Sequence, residues 1–384
     1  MKILALGGSG GMGRYAVHSL YKNPKIEKIF VADLNASSAK DFSSSFNNKV
    51  DGFGLDVTNE SCLLEAMSKV DIVINTTGPF FKFAELILRT AIETNCHYFD
   101  ICDDWEPTEK MFLMDQKAKS AGITAIIGLG ASPGLTNILA YMAMLELDEI
   151  SKVYTGWDIS SAKTEQLSSQ KGVNAAMVHG IEQIIGKVKV FKEGKYQMVR
   201  PLNEVKIHYP EIGEFKANIF GHPEAITFPH HYPHINESLN LMHGEERGFN
   251  IILKFIRFLI EAKILTKKMA ARILTYMEGL NTSAQKKEKI CLPAVFGYAE
   301  GTKNGKKISI GVTIDKEIKD LSMGEATSFP LVSGVKMLID GLIDDSGVHA
   351  PESGIIDPKL FINYFAREIG NGIKLFPKIT RSQI

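Results

Sequence analysis

The chain lacks an excess of charge of either sign: lysine plus arginine and aspartate plus glutamate both total 44 in 384 residues. This balance removes the chain-wide attraction that a nucleic-acid binder or a polybasic membrane protein would use. No nucleic-acid partner is expected, and a small-molecule substrate is. Cysteine is equally sparse. Cys62, Cys96, Cys102 and Cys291 form no CxxC pair and no compact Cys/His ladder, which argues against a zinc site or disulfide framework and fits a reducing compartment. No metal is expected. Met1-Lys2 runs straight into the strand-like Ile3-Leu4-Ala5-Leu6, with no room for a charged leader and a cleavage site, so the expected location is cytoplasmic. No apolar run reaches the ~20 residues that cross a bilayer. The nearest, 249–265, is broken by Lys254, Arg257, Glu261 and Lys263 at helical spacings, the wet stripe of a helix in a core or dimer contact. A homodimer is the expectation from the prevalence of two-fold assemblies.

What is present is a rhythm. Strands expected at 2–6, 28–32, 52–56, 71–75, 97–101 and 124–127 alternate with helices at 12–21, 61–68, 83–94 and 108–120. That alternation builds a parallel sheet covered on both faces. A helix runs on to residue 147. Beyond it, 153–159, 187–191, 196–199, 219–220 and 226–227 read as strands of a mixed or antiparallel sheet, with a helix at 175–185. Residues 248–280 read as mostly helical, 294–313 as a hairpin turning at Asn304-Gly305, and helices near 330–342 and 358–367 close the chain. The expected fold class is α/β, a doubly wound Rossmann parallel sheet plus a second α+β domain. The expected boundaries are 1–135 for dinucleotide binding, 136–325 for substrate and dimerisation, and 326–384 for a helical segment packing back on the first domain.

Gly8-Ser9-Gly10-Gly11-Met12-Gly13 fits G-x-G-x-x-G between a strand and a helix, the context that gives the pattern meaning. Gly8 is expected to permit the tight turn, Gly10 to let backbone approach a pyrophosphate, and Gly13 to allow close helix packing, with Gly11 and Met12 completing the contact. The diphosphate would rest on the helix N-terminus. Arg14-Tyr15 stands where a P-loop needs Lys and then Ser or Thr, so ATP hydrolysis loses its key groups. Asp33 ends the second strand twenty residues beyond Gly13, placed to accept the adenosine ribose hydroxyls. A carboxylate there repels a 2′-phosphate and favours NAD, while Ser37, Ser38 and Lys40 leave NADP open. Asp56 is expected beside the adenine, and Thr76-Thr77-Gly78-Pro79 beside the nicotinamide half.

Thr77-Gly78-Pro79-Phe80, the run from Tyr98 to Pro107, the run from Gly128 to Asn137 and the late His349-Ala350-Pro351-Glu352 stand in a distinctive order. With the glycine turn, they resemble the saccharopine dehydrogenase-like family of oxidoreductases, whose members include saccharopine reductase, lysine 6-dehydrogenase and carboxynorspermidine dehydrogenase. The resemblance implies NAD- or NADP-dependent formation or reduction of a carbon–nitrogen double bond in an amino-acid-like or imine substrate bound between the two domains.

The candidate chemistry lies beyond the glycines. Asp100, Asp103, Asp104 and Glu106 place four carboxylates in seven residues at a strand end, suited to a proton shuttle or to holding a cationic amine. Asp103 and Glu106 are the expected proton carriers, with Asp104 and Phe80 on the substrate side. The alternative for Asp104 is a helix N-cap. Ser132 and Asn137 are expected to line the cleft, although capping of the next helix explains Ser132 and Pro133 equally. In the second domain His222 is a candidate catalytic group and Glu224 a substrate contact; the histidines of 230–234 read as a proline-broken loop rather than a metal site. Cys96 and Cys102 read as space-filling thiols. Two rival functions remain: reduction of a lipid-like substrate, with the 249–265 helix as a greasy surface, and NAD(H) sensing without chemistry.

Overall fold

A computed structural model describes residues 1–159, 175–244, 247–280, 292–314, 321–370 and 372–384. Cys291 lies outside the described residues. The chain divides into two compact units, Met1–Met142 with Lys316–Pro377, and Ala143–Asp315 with Lys378–Ile384.

In the first unit β1 (Lys2–Leu6), β2 (Lys28–Asp33), β3 (Val50–Gly54), β4 (Ile72–Asn75), β5 (His97–Asp100) and β6 (Thr124–Ile126) alternate with helices. These are α1 (Gly13–Tyr21), α2 (Ala36–Ser43), α3 (Glu60–Met67), α4 (Phe80–Glu93), α5 (Trp105–Phe112) and α6 (Asp115–Ala121), followed by α7 (Leu135–Met144). The second unit holds β7 (Glu149–Asp158), α8 (Ala175–Gln183), β8 (Val188–Lys192), β9 (Lys195–Val199), β10 (Glu204–Tyr209) and β11 (Gly213–Ile219). It continues through α9 (Glu224–His231), β12 (Glu237–His243), α10 (Arg247–Glu261), α11 (Lys267–Leu280), β13 (Val295–Lys303) and β14 (Lys306–Thr313). The chain then returns to the first unit with α12 (Met323–Ile339), β15 (Gly347–His349) and α13 (Pro358–Ile369), and ends in the second with β16 (Lys378–Gln383).

The first sheet is parallel throughout, in the order β3-β2-β1-β4-β5-β6-β15. Its central strands β1 and β4 are near-continuous apolar runs, as expected where helices cover both faces; Ile3, Leu4, Ile72, Val73 and Ile74 are all fully buried. Strand order reverses between β1 and β4, the point where doubly wound folds open a crevice at the carboxyl edge. Register aligns that edge. Leu6 pairs with Ala32 and Asn75, and Asn75 pairs with Asp100, so Gly7, Asp33, Thr76 and Ile101 all leave the sheet from one row.

The second sheet is mixed, running β10-β11-β12-β7-β13-β14-β16 with β8 and β9 attached through β12. Only β12 and β7 pair in parallel along that path. The β13–β14 hairpin turns at Asn304 and Gly305, both at positive φ (50° and 74°), as the Asn-Gly pair demands.

Several elements depart from the sequence reading. Residues 226–227 are helical, not extended: Pro223, at φ −71°, presets the first turn, and its carbonyl accepts from the Ile226 and Thr227 amides at 2.8 and 2.9 Å. This helix carries His230 and His231 in its last turn, where a loop was expected. Residues 108–120 belong to two helices, β3 ends two residues early, and β10, β12, β15, β16 and α2 were not expected. Among the described residues no helix is long and apolar enough to cross a membrane.

Candidate dinucleotide-binding site

The glycine turn joins β1 to α1, and each glycine in it has its own reason. The left-handed residue is Gly7, at φ 68°, rather than Gly8, because the chain reverses immediately after Leu6. Gly8 instead lacks a side chain so that it can pack on Ala5, whose Cβ would lie 2.9 Å from an added methyl. Gly13 is the tightest: a Cβ there would meet Gly7 O at 2.3 Å and Gly8 Cα at 2.6 Å. At Gly11 and Gly78 an added Cβ would meet nothing within 4 Å. Gly10 donates its N–H to Gly7 O at 3.0 Å and Met12 precedes α1, so the turn presents backbone at a helix start, the setting in which phosphates bind. Ser328 of α12 buttresses it by donating to Met12 O at 2.6 Å. Gly13→Ala is expected to weaken NAD(P)H binding by about tenfold or more through this clash; a fluorescence titration of the folded variant reads it.

Asp33 is half-exposed at the end of β2, and its Oδ2 accepts from Ser9 Oγ at 2.7 Å. Arg14 Nη2 donates to Ser9 O at 3.0 Å, with its guanidinium 5.7 Å over the Phe42 ring. Arg14 was read from sequence only as the wrong residue for a P-loop; the fold turns it back toward the Asp33 corner. Asp56 is corrected. It lies two residues past β3, and its exposed carboxylate caps its own turn through Thr58 N (2.9 Å) and Thr58 Oγ1 (2.7 Å), bonds that hold its pKa below the usual range.

Beyond β4, Thr76 Oγ1 donates to Leu6 O at 2.9 Å, which ties the loop to the end of β1. Thr77 Oγ1 is buried and has no partner among the described residues, the condition expected of a hydroxyl awaiting a ligand. Pro79 precedes α4, and Phe80 opens it as a buried residue. The open glycine backbone, the half-exposed Asp33 and the orphaned Thr77 hydroxyl together fit a dinucleotide.

Behind this edge Asn75, Tyr98 and Asp100 join in a buried chain that their separate places in the sequence did not announce. Asn75 Oδ1 accepts from Thr77 N at 2.9 Å, Asn75 Nδ2 donates to Tyr98 Oη at 3.0 Å, and Tyr98 donates to Asp100 Oδ2 at 2.8 Å. Asp100 Oδ1 accepts from Cys102 N (3.0 Å) and Gly128 N (2.6 Å). Burial pushes the fully enclosed Asp100 carboxyl up to about 6, against the pull of those bonds and with a further push from Asp103. The period-two pattern of Tyr98 and Asp100 on β5 was the available signal, since both point to one side of the sheet.

Of the expected acids, Asp103 is half-buried just past β5. Asp104 immediately precedes α5 but caps a different helix: its Oδ2 accepts from Phe81 N of α4 at 3.0 Å. Glu106 is exposed in the first turn of α5, where a carboxylate favours the helix N-terminus. Ser132 is half-buried and does not open α7. Asn137 is fully enclosed; its Oδ1 accepts from Gly134 N at 2.7 Å and its Nδ2 donates to Glu352 Oε2 at 2.8 Å. Two segments 215 residues apart are thereby clamped together within the first unit. Burial raises the Cys96 and Cys102 thiols, consistent with inert filling.

His222 and Glu224 lie in the second unit. The His222 ring stacks on Trp157 at 5.7 Å and meets Phe220 edge-on at 4.9 Å. Glu224, with no exposed surface, accepts from Asn240 Nδ2 at 3.0 Å, and Asn240 also bonds Thr155 Oγ1 (3.0 Å) and Trp157 Nε1 (3.3 Å).

A doubly wound sheet with this turn defines a nicotinamide-dinucleotide-binding protein. Residues 3–126 match the saccharopine dehydrogenase NADP binding domain, the family that the motifs resemble. It is 24% identical over 255 residues to carboxyaminopropylagmatine dehydrogenase of Synechocystis, covering 63% of this chain and 62% of that protein. It is 23% identical over 262 residues to carboxynorspermidine synthase of Vibrio cholerae, covering 61% and 60%. The matches thus span less than two thirds of these curated relatives. In fold it resembles apo saccharopine dehydrogenase (L-Glu forming) from Saccharomyces cerevisiae, with a TM-score of 0.66 at 16% identity over 99% of both chains. Homospermidine synthase from Legionella pneumophila in complex with NAD gives 0.59 at 12% identity, over 100% of this chain and 91% of that one.

Proposed function

We propose that this protein is an NAD(H)-dependent oxidoreductase that makes or reduces a carbon–nitrogen bond in an amine- or amino-acid-related substrate. The observation that carries the reading is the single row of strand ends from which the glycine turn, Asp33, Thr77 and Asp103 all emerge. When bound, the nicotinamide supplies or accepts a hydride. The glycine backbone and the α1 N-terminus hold the diphosphate, Asp33 holds the ribose, and Asp103 moves the proton at the substrate nitrogen. The relatives named above, a carboxyaminopropylagmatine dehydrogenase and a carboxynorspermidine synthase, support a polar, cationic amine as the substrate class. Glu224 and His222 are proposed as substrate contacts in the second unit. The working form is proposed as a cytoplasmic homodimer, supported by the thiol-only Cys62, Cys96 and Cys102 and by the prevalence of two-fold assemblies.

The test is NADH and NADPH oxidation across a panel of oxo-acid and aldehyde partners with amines. Turnover in that panel is the expected result; cofactor binding without turnover would establish a nucleotide sensor instead. Asp33 sets the cofactor, with Arg14, Ser37 and Ser38 nearby to serve a 2′-phosphate if the carboxylate is removed. Asp33→Ser is therefore expected to cost NADH about ten- to a hundredfold in affinity, the worth of charge-assisted hydrogen bonds, while NADPH binding improves. Parallel titrations with the two cofactors check it.

A further inference from the structure

Among the described residues, the outward faces of α10 and α11 carry apolar side chains that remain exposed. Leu253 and Ile256 of α10 and Ala270, Ala271 and Leu274 of α11 bury into one core cluster of the second unit. On the opposite side, Ile251, Phe255 and Phe258 stand at i, i+4 and i+7 of α10, and Met269, Ile273 and Tyr276 repeat that spacing on α11. All six are exposed, from 42% at Ile273 to 71% at Tyr276. A surface helix needs one apolar stripe for its core; a second on the solvent side lowers solubility and marks an interaction surface. Of the expected wet stripe, Lys254, Glu261 and Lys263 are exposed and Arg257 is half-buried.

Charge identifies the occupant. From residue 250 to 276 the sequence has six basic residues and one acid, in a chain whose totals balance at 44 each. Lys267 pairs with Glu182 at 2.8 Å and Arg257 donates to Pro201 O at 2.5 Å, both within the second unit. Lys254, Lys263, Lys268 and Arg272 are exposed on the same two helices and the link between them. Pressing this surface against a second copy would set like charges against each other, which is unfavourable. An anionic surface meets both features at once.

We propose that α10 and α11 dock the protein onto an anionic lipid surface. The apolar side chains enter the boundary between headgroups and acyl chains, and the basic side chains meet lipid phosphates. The two helices lie in the plane of the surface and do not cross it.

The test is co-sedimentation of the full chain with phosphatidylcholine vesicles, with and without phosphatidylglycerol, in low and high salt. The wild-type chain is expected to pellet with the anionic vesicles and to be released by salt. Phe255→Asp with Phe258→Asp is expected to lower partitioning by more than about tenfold, from the apolar area lost. Lys254→Glu, Lys268→Glu and Arg272→Glu together are expected to lower it on the order of a hundredfold. Because all five positions are exposed, the fold of each variant is checked by circular dichroism and by its retained NAD(H) binding. Absence of pelleting by wild type, or equal pelleting without phosphatidylglycerol, overturns the proposal. So does conversion of a dimer to a monomer by the phenylalanine variant in light scattering, which would assign the face to a second copy.

Discussion

Replacing Asp103 by asparagine is expected to lower kcat by about a hundred- to ten-thousandfold, the range for loss of a positioned general acid or base, while leaving the NAD(H) dissociation constant unchanged. The residue sits half-buried immediately beyond β5, on the carboxyl edge shared by the glycine turn and Asp33. Its charge is also felt by Asp100, whose carboxyl it pushes upward. The same substitution should therefore lower the Asp100 pKa, a shift readable by carboxyl NMR that a merely misfolded variant would not give. Glu106→Gln is the contrast. Exposed on the first turn of α5, it is expected to change kcat far less, and a comparable loss there would move the proton carrier from Asp103 to the helix.

Asp100→Ala is expected to destabilise the first unit by about 3 kcal/mol or more, because Tyr98, Cys102 N and Gly128 N would all lose a buried acceptor. The chain has two tryptophans, Trp105 in the first unit and Trp157 in the second, so urea unfolding followed by fluorescence, with each indole replaced in turn by phenylalanine, separates the units. A pH signature accompanies the stability change. The folded pKa of Asp100 is raised, from 3.8 to about 6. Its contribution to stability is therefore full below the unfolded value and is lost as pH rises through the folded one. The loss amounts to about 3 kcal/mol between roughly pH 4 and 6. Asp100→Asn, which cannot ionise, is expected to flatten this part of the stability profile relative to wild type. A profile parallel to wild type across that window would show that Asp100 keeps an ordinary pKa despite its burial.

Much of the first unit was legible because its signals are local. A strand, a glycine run, a helix and an acid twenty residues on are contiguous chemistry, and β1, β2 and β4 are apolar runs short enough to be unambiguous. The second unit was harder. Ile226 and Thr227 are β-branched and read as extended, yet a proline before them and the cover of β8 and β12 make them helical. β15 is three residues long and joins the sheet beside β6, more than 200 residues from its partner in sequence, so no local pattern announces it.

The site divides in the same way. The sequence by itself determined the glycine turn, its strand-and-helix frame and the acid at the end of β2, because backbone geometry and strand-end position depend on residues within one βαβ unit. Only the tertiary structure decided that Gly7 carries the positive φ, that Asp56 serves its own turn and that Asp104 caps α4 rather than α5. It also decided that Arg14 turns back toward Asp33, that Asn137 is clamped to Glu352, and that α10 and α11 keep an apolar face in solvent. The physical reason is common to all of these. A side chain's partner is fixed by which segments register brings alongside it, and burial is a property of the packed chain rather than of any run of letters.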